Sequence, residues 1–277
     1  MATLMAGSAL AERIRAEVAE EVRELGELGL ATVQVGDDEA STIYLRRKHE
    51  AAAEVGIASL DRKLPEQSSE DELLDVIAEL NADDAMDGVL VQLPLPEHID
   101  EAPVIAAVDP VKDVDGLHPF NAGQLYLGRP THVPATPLGI MLLLNEHRVG
   151  LDGARAVVVG RSDIVGKPVA HLLLQANATV TICHSHTDEL ARHTLDADVL
   201  VVAADMVKAG AAVIDVGMNR TEAGLVGDVD PGAAERAAFM TPVPGGVGPM
   251  TIAMLLRNAV RAARYRRGVL AFPHVPR

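Results

Sequence analysis

Short apolar runs and longer amphipathic runs take turns along this chain, and few folds satisfy that alternation. Leu30–Val35, Gly88–Gln92, Ala156–Val159, Thr179–Cys183, Val199–Ala203 and Ala212–Val216 read as strands. Leu10–Leu25, Ser41–Val55, Leu73–Leu80, Gly166–Gln175 and Ile252–Ala263 read as helices. A strand-then-helix order predicts an α/β fold with mostly parallel strands. Punctuation supports the boundaries. Gly36-Asp-Asp38 closes the first strand, Ser41 lies near the next helix start, and Gly56 reads as its stop. Leu93-Pro-Leu-Pro96 ends the second strand, and a turn-rich loop follows through Asp109–Gly123. A helix beginning over Pro137–Asn145 bridges two domains, with the boundary near Thr131–Leu144.

Composition narrows the function. A length of 277 residues suits one or two domains. Hydrophobic residues make up 48%, yet there are no Trp, three Phe and three Tyr, so the core must be aliphatic. A net charge of −16 argues against nucleic acid and anionic membranes as partners, and any anion site must rely on local positive charge. The single cysteine, Cys183, excludes an internal disulfide and fits a reducing, cytoplasmic setting. No segment has the length of a membrane span, and the N-terminus lacks a secretory pattern.

Four stretches carry candidate chemistry. Ser41, Tyr44 and Lys48 are spaced to share one helix face, directly after a strand end where ligands of α/β sheets bind. A solvated helix face would read the same way. Gln92 is an amide at the end of an apolar strand, able to donate and accept, and core packing explains it poorly. The Pro110–Gly123 loop contains Lys112, Asp113 and Asp115, whose alternative role is the loop's own turn structure. Gly160-Arg-Ser-Asp-Ile-Val-Gly166 follows a strand and opens a helix, the context of a phosphate-binding turn, although it is no GxGxxG.

Past the next strand the chain reads His184-Ser-His186, with no acid for a ribose diol. With Arg161 nearby, that favours NADP. His184 and His186 alternate, but no third ligand has suitable spacing, so no metal is expected. Finally, Thr241–Thr251 packs three Gly and three Pro into eleven residues ahead of an apolar helix. Such a stretch reads as a rigid loop whose backbone N–H groups can meet a ligand.

Several of these strings together resemble the bifunctional methylenetetrahydrofolate dehydrogenase/cyclohydrolase family. They are Ser41–Lys48 with Glu54-Val-Gly-Ile57, Val89–Asp100, Pro110–Gly123, Gly160–Gly166, Gly227-Asp-Val-Asp230 and Thr241–Thr251. The resemblance implies an N-terminal α/β catalytic domain over 1–135, with a helix at about 250–268 packing back on it. It also implies a Rossmann-like NADP-binding domain over 136–250 and a cleft between the two. The implied activity is NADP-dependent oxidation of 5,10-methylenetetrahydrofolate and hydrolysis of the product to 10-formyltetrahydrofolate.

On that resemblance Lys48 is the acid–base group, Gln92 holds it, Tyr44 lines the pterin stack, and Asp115 takes the pterin amide edge. Ser41, Pro244, Gly245 and Gly248 bind substrate. Gly160, Arg161, Ser162, Val165, Gly166, His184, Ser185 and Thr251 bind cofactor. A cytoplasmic homodimer serving one-carbon metabolism and purine biosynthesis is implied as well.

Two features depart from the family. His186 stands where a Lys or Arg commonly follows the serine, which weakens the positive site for a 2′-phosphate. The chain also hops from Val199–Ala203 to Ala212–Val216 through only Ala204–Ala211, whereas a parallel crossover takes about a dozen residues. Either a cofactor-touching loop is deleted or residues are absent between Ala204 and Asp205. The second is favoured because the flanks match on both sides. A true deletion would leave a cyclohydrolase with impaired dehydrogenase. A non-catalytic folate- or nucleotide-binding regulator is the remaining alternative, and such a binder would not need Lys48.

Overall fold

The computed structural model describes residues 2–201, 207–217, 219–221 and 224–273. The chain forms two compact units: Arg13–Val133 with Leu255–Arg277, and Met1–Glu12 with Pro134–Met254.

The first unit is built on a parallel sheet of three strands in the order Ala58–Leu64, Gly29–Val35, Gly88–Val91. Gly29–Val35 is central and buried at every position. Ala31, Val33 and Val35 on one of its faces join Leu73, Ile77 and Leu80 of the Glu70–Ala82 helix in an aliphatic core. The Glu39–Glu54 helix leads to Ala58–Leu64 on one side of the central strand, and the Glu70–Ala82 helix leads to Gly88–Val91 on the other. Strand order therefore reverses beside Val35 and Val91. In open α/β sheets that reversal leaves a crevice at the carboxyl ends of the strands.

Local chemistry moves several boundaries from those expected. The Asp38 carboxylate accepts from the Ser41 backbone N–H at 2.7 Å, so the helix starts at Glu39, ahead of Ser41. A reciprocal Ser69–Glu72 capping box starts the next helix at Glu70, ahead of Leu73. The Ala58–Leu64 strand has no counterpart among the expected elements. It is a sheet edge whose residues are mostly exposed, so it lacks an apolar run. The Asp109–Gly123 region is likewise not all loop, because His118 caps a short helix over Pro119–Tyr126.

The second unit holds a six-stranded parallel sheet among the described residues. Its order is Thr3–Leu4, Phe239–Met240, Ala212–Ile214, Val199–Val201, Arg155–Val159, Thr179–Cys183. Residues 1–12 thus belong here and not with the domain over 1–135. Thr3–Leu4 pairs with Phe239–Met240, and the Gly7 N–H donates to the Gly245 carbonyl at 2.8 Å. A Cβ on Gly7 would fall 2.1 Å from the Gly246 oxygen, so only glycine permits this approach.

Helix Ala135–Glu146 belongs to the same unit. The expected loop over Thr241–Thr251 gives way to helix at Val247, with Gly248 and Pro249 in its first turn, where no intrahelical N–H is required. Val199–Val201 and Ala212–Ile214 pair in parallel, while the Ala204–Asp205 junction lies outside the described residues.

The loop carrying Asp115 is tied to the first unit from two sides. The Val89 N–H donates to the Lys112 carbonyl at 2.8 Å, joining Asp113 to the strand as a bridge. Asn258, buried on the C-terminal helix, donates to the carbonyls of Val114 and Val133, both at 2.8 Å. Replacing Asn258 with Ala leaves two buried acceptors unmade, each costing about 1–3 kcal/mol, so a loss of about 3 kcal/mol is expected. Equilibrium urea unfolding checks this, and a loss below about 1 kcal/mol would refute the anchoring role.

Candidate active site

Four of the expected residues gather in the first unit, at the carboxyl ends of its strands. Lys48 projects from the Glu39–Glu54 helix and is only 6% exposed. A lysine this buried needs partners, because an unpaired ammonium is costly to desolvate. Its Nζ donates to Gln92 Oε1 at 3.1 Å and lies 4.7 Å from the centre of the Tyr44 ring. Gln92 Nε2 donates to the Leu93 carbonyl at 2.6 Å, which turns the amide so that its oxygen faces Lys48. The Gln92 N–H in turn donates to the Val33 carbonyl, continuing the sheet ladder to the site.

The electrostatics couple Lys48 to Asp115. Burial pushes the Lys48 ammonium below the ordinary lysine range, and the nearby Asp115 charge opposes that push. Burial pushes Asp115 up to about 6, while Lys48 pulls it down and Asp113 pushes it up. An amine whose proton is loosened by burial, coupled to a carboxylate raised to about 6, suits proton transfer. Ser41 lies on the same helix, buried near its start. Its N–H and hydroxyl hold the Asp38 carboxyl below the usual range.

The neighbouring loop residues serve the frame. Lys112 Nζ donates to the carbonyls of Leu80, Asn81 and Asp83 at the end of the Glu70–Ala82 helix. Asp113 accepts from the N–H groups of Leu117 and His118 and from Asn121 Nδ2. Of the two readings open for Lys112 and Asp113, the loop's own structure is the one observed. Asn121 and Asn258 were not among the expected site residues. Asn121 ties its own loop through Pro110, Asp113 and Thr131, and Asn258 satisfies carbonyls more than a hundred positions away, which leaves no local pattern.

The other expected residues lie in the second unit. Gly160 follows the Arg155–Val159 strand, where strand order reverses between Thr179–Cys183 and Val199–Val201. Its φ of 128° belongs to glycine, and a Cβ on Gly166 would fall 2.3 Å from the Gly160 oxygen. Ser162 Oγ accepts from the N–H groups of Val165 and Gly166, both at 3.2 Å, and so shapes the turn. Arg161 is exposed and enters no ion pair among the described residues. Asp163 is paired with Lys167 at 2.5 Å. His184 Nδ1 accepts from the His186 N–H at 3.2 Å, and Ser185 and His186 are exposed.

A tight glycine turn at the switch point, a free arginine and a strand end without carboxylate fit a dinucleotide carrying a 2′-phosphate. Thr251 shares a 2.8 Å hydrogen bond with Thr136. Pro244, Gly245 and Gly248 belong to the same unit, so the signature residues and Lys48 fall in different units. Among the described residues no group of three or more His, Cys, Asp or Glu side chains is placed to hold a metal.

Comparison with known proteins agrees with this geometry. Residues 5–115 match the catalytic domain of tetrahydrofolate dehydrogenase/cyclohydrolase, and residues 134–267 match its NAD(P)-binding domain. The chain is 54% identical to the bifunctional protein FolD of Halothermothrix orenii, covering 96% of this chain and 99% of that one. It is 52% identical to the bifunctional protein FolD 2 of Geobacter sulfurreducens, covering 95% and 98%.

Among solved structures, the FolD methylenetetrahydrofolate dehydrogenase/cyclohydrolase of Campylobacter jejuni superposes with a TM-score of 0.93 at 46% identity, covering 96% of this chain and 100% of that one. The Trypanosoma brucei enzyme, complexed with NADP cofactor and inhibitor, gives a TM-score of 0.90 at 39% identity, covering 98% and 99%. With both domain models matched in order and relatives alike over nearly their whole length, the chain belongs to the tetrahydrofolate dehydrogenase/cyclohydrolase family.

Proposed function

We propose that this chain oxidises 5,10-methylenetetrahydrofolate with NADP+ and hydrolyses the methenyl product to 10-formyltetrahydrofolate, with Lys48 as the acid–base group of the second step. The observation that carries this reading is the buried Lys48 amine, held by Gln92 over Tyr44 and coupled to Asp115.

In the first step the Gly160–Gly166 turn would hold NADP+, which would supply the hydride acceptor for the methylene carbon and so allow a methenyl cation to form. Hydride transfer asks the chain mainly for position. In the second step water adds to the methenyl carbon and gives up a proton, for which neutral Lys48 is the acceptor. The carbon–N5 bond then breaks, and a proton from Lys48 goes to N5. One proton is released per turnover.

Gln92 keeps the amine aimed, and Tyr44 lies under both the amine and the pterin. The ionised Asp115 carboxylate accepts from two parallel N–H groups of the pterin edge. Ser41 completes this face. Pro244, Gly245 and Gly248 contribute substrate contacts. The Gly160, Arg161, Ser162, Val165 and Gly166 turn takes the cofactor phosphates, with His184, Ser185 and Thr251 beside it.

Support for NADP over NAD comes from the strand end at His184-Ser-His186, from Arg161, and from the NADP held by the Trypanosoma brucei relative. The chain is proposed to act in the cytoplasm as a homodimer, its formyl product serving purine biosynthesis. The single buried Cys183 is consistent with a reducing compartment, and no described helix is long and apolar enough to cross a membrane. A monomeric mass in sedimentation velocity would refute the dimer.

Replacing Lys48 with Met is expected to abolish cyclohydrolase turnover and to lower the dehydrogenase rate much less. Near wild-type hydrolysis of the methenyl substrate would sink the assignment. The acid side adds a second measurement on the same variant. Asp115 is raised to about 6, so its ionised fraction, and with it folate affinity, falls as pH drops through that value. Removing the Lys48 charge raises the Asp115 midpoint further, so in Lys48→Met the fall in affinity sets in at higher pH. An unmoved midpoint in folate titrations would refute the coupling.

Replacing Arg161 with Ala is expected to raise the NADP Michaelis constant by on the order of tenfold or more, as loss of a charge-assisted contact does, with the NAD constant little changed. Steady-state kinetics with both cofactors decide it. Equal or better efficiency of the wild-type chain with NAD would overturn the preference.

A further inference from the structure

The contact between the central strand Gly29–Val35 and the Glu39–Glu54 helix is polar where an apolar one would be expected. Ala31, Val33 and Val35 face the aliphatic core, and the alternate positions Thr32 and Gln34 meet the helix. Both are buried, Thr32 completely and Gln34 to 4% exposure. Gln34 Nε2 donates to Thr42 Oγ1 at 3.1 Å, and Thr42 Oγ1 donates to the Asp38 carbonyl. Thr32 Oγ1 lies 2.9 Å from His49 Nε2 and donates to Asp61 Oδ1 at 3.1 Å. Asp61 is the cross-strand partner of Thr32 in the sheet register.

The direction of this chain of bonds follows from counting protons. A threonine hydroxyl has one, and an ionised carboxylate only accepts, so the Thr32 proton goes to Asp61. His49 Nε2 must then carry the proton of the second bond. The order is His49 Nε2–H to Thr32 Oγ1 to Asp61. Valine would fill the Thr32 volume, so packing alone does not ask for the hydroxyl.

Residues 42 and 49 are two turns apart and share the helix face on the sheet. An apolar contact tolerates small rotations and slides of a helix, whereas a directional hydrogen bond has one register. His49 immediately follows Lys48, whose Nζ must meet Gln92 on a different strand. Rotation of the helix would swing Lys48 away from Gln92.

We propose that the His49–Thr32–Asp61 chain is a positioning device that sets Lys48 against Gln92 for the hydrolytic step. It rests on the role of Lys48 proposed above. Thr32, His49 and Asp61 act through Lys48 and are positioning residues. Misplacement of a reacting group by about 1 Å costs up to about a hundredfold, and hydrolysis bears that cost because it uses Lys48 directly.

The test compares Thr32→Val, Thr32→Ser and His49→Leu in the full chain, with Lys48→Met alongside. Cyclohydrolase and dehydrogenase turnover and the folate KM are measured separately for each. Thr32→Val and His49→Leu should lower cyclohydrolase kcat on the order of tenfold, with folate KM and dehydrogenase kcat within about twofold of wild type. Thr32→Ser, which keeps the hydroxyl, should restore most of the loss. His49 is only half-buried, so His49→Leu keeps the test available if Thr32→Val fails to fold.

Unchanged hydrolysis in both variants, with Lys48→Met inactive, overturns the positioning role and leaves Lys48 in place. Equal loss of both activities, or no recovery in Thr32→Ser, reduces the contact to general packing. Active Lys48→Met overturns both readings.

Discussion

Burying one ammonium group organises the first unit. Lys48 sits at 6% exposure, with no carboxylate among the described residues in direct contact, so its desolvation is offset by an amide oxygen, an aromatic face and a charge farther off. Each of those partners comes from a different piece of backbone. Tyr44 comes from the same helix, Gln92 from the strand on one side of the switch point, and Asp115 from a loop bridged to that strand. An amine so placed gives up its proton more readily than an exposed lysine. The three parallel strands, the Leu93 carbonyl that orients Gln92 and the Asn258 anchor below Val114 all serve that geometry.

The two units apply one rule to different chemistry. In each, a central parallel strand has neighbours reached in opposite directions, and the residues proposed for chemistry or binding lie where the order reverses. In the first unit that position holds a helix face with a buried amine. In the second it holds a glycine turn, closed by Gly166 packed on Gly160 and pinned by Ser162. Proton transfer benefits from a desolvated group, whereas cofactor phosphates need exposed positive charge and open backbone. The burial of Lys48 and the exposure of Arg161 match the roles proposed for them.

The frame around these residues absorbs the polar groups that a functional loop leaves behind. Lys112 caps three carbonyls at a helix end, and Asp113 collects N–H groups of the following turn. Asp215 does the same in the second unit, accepting from the N–H groups of Gly217, Asp228 and Val229. Buried polar atoms without partners cost about 1–3 kcal/mol each, so such loops keep one conformation only when their own side chains close the account.

Much was legible in the sequence itself. The alternation of strand-like and helix-like runs determined the α/β class and the parallel sheets, because hydrophobic periodicity and turn residues act locally. The strings around Lys48, Gln92, Asp115, Gly160 and Thr241 determined the family, because each chemistry needs those residue types in order. The tertiary structure alone decided the rest. The edge strand Ala58–Leu64 has no apolar run to announce it, since it packs through backbone hydrogen bonds. Residues 1–12 join the second unit because Gly7 fits against a backbone more than two hundred positions away. The meeting of Lys48 with Gln92, the Asp115 value near 6, and the His49–Thr32–Asp61 chain depend on burial and on contacts between distant segments. Burial and direction are properties of the assembled chain, and no spacing along a sequence encodes them.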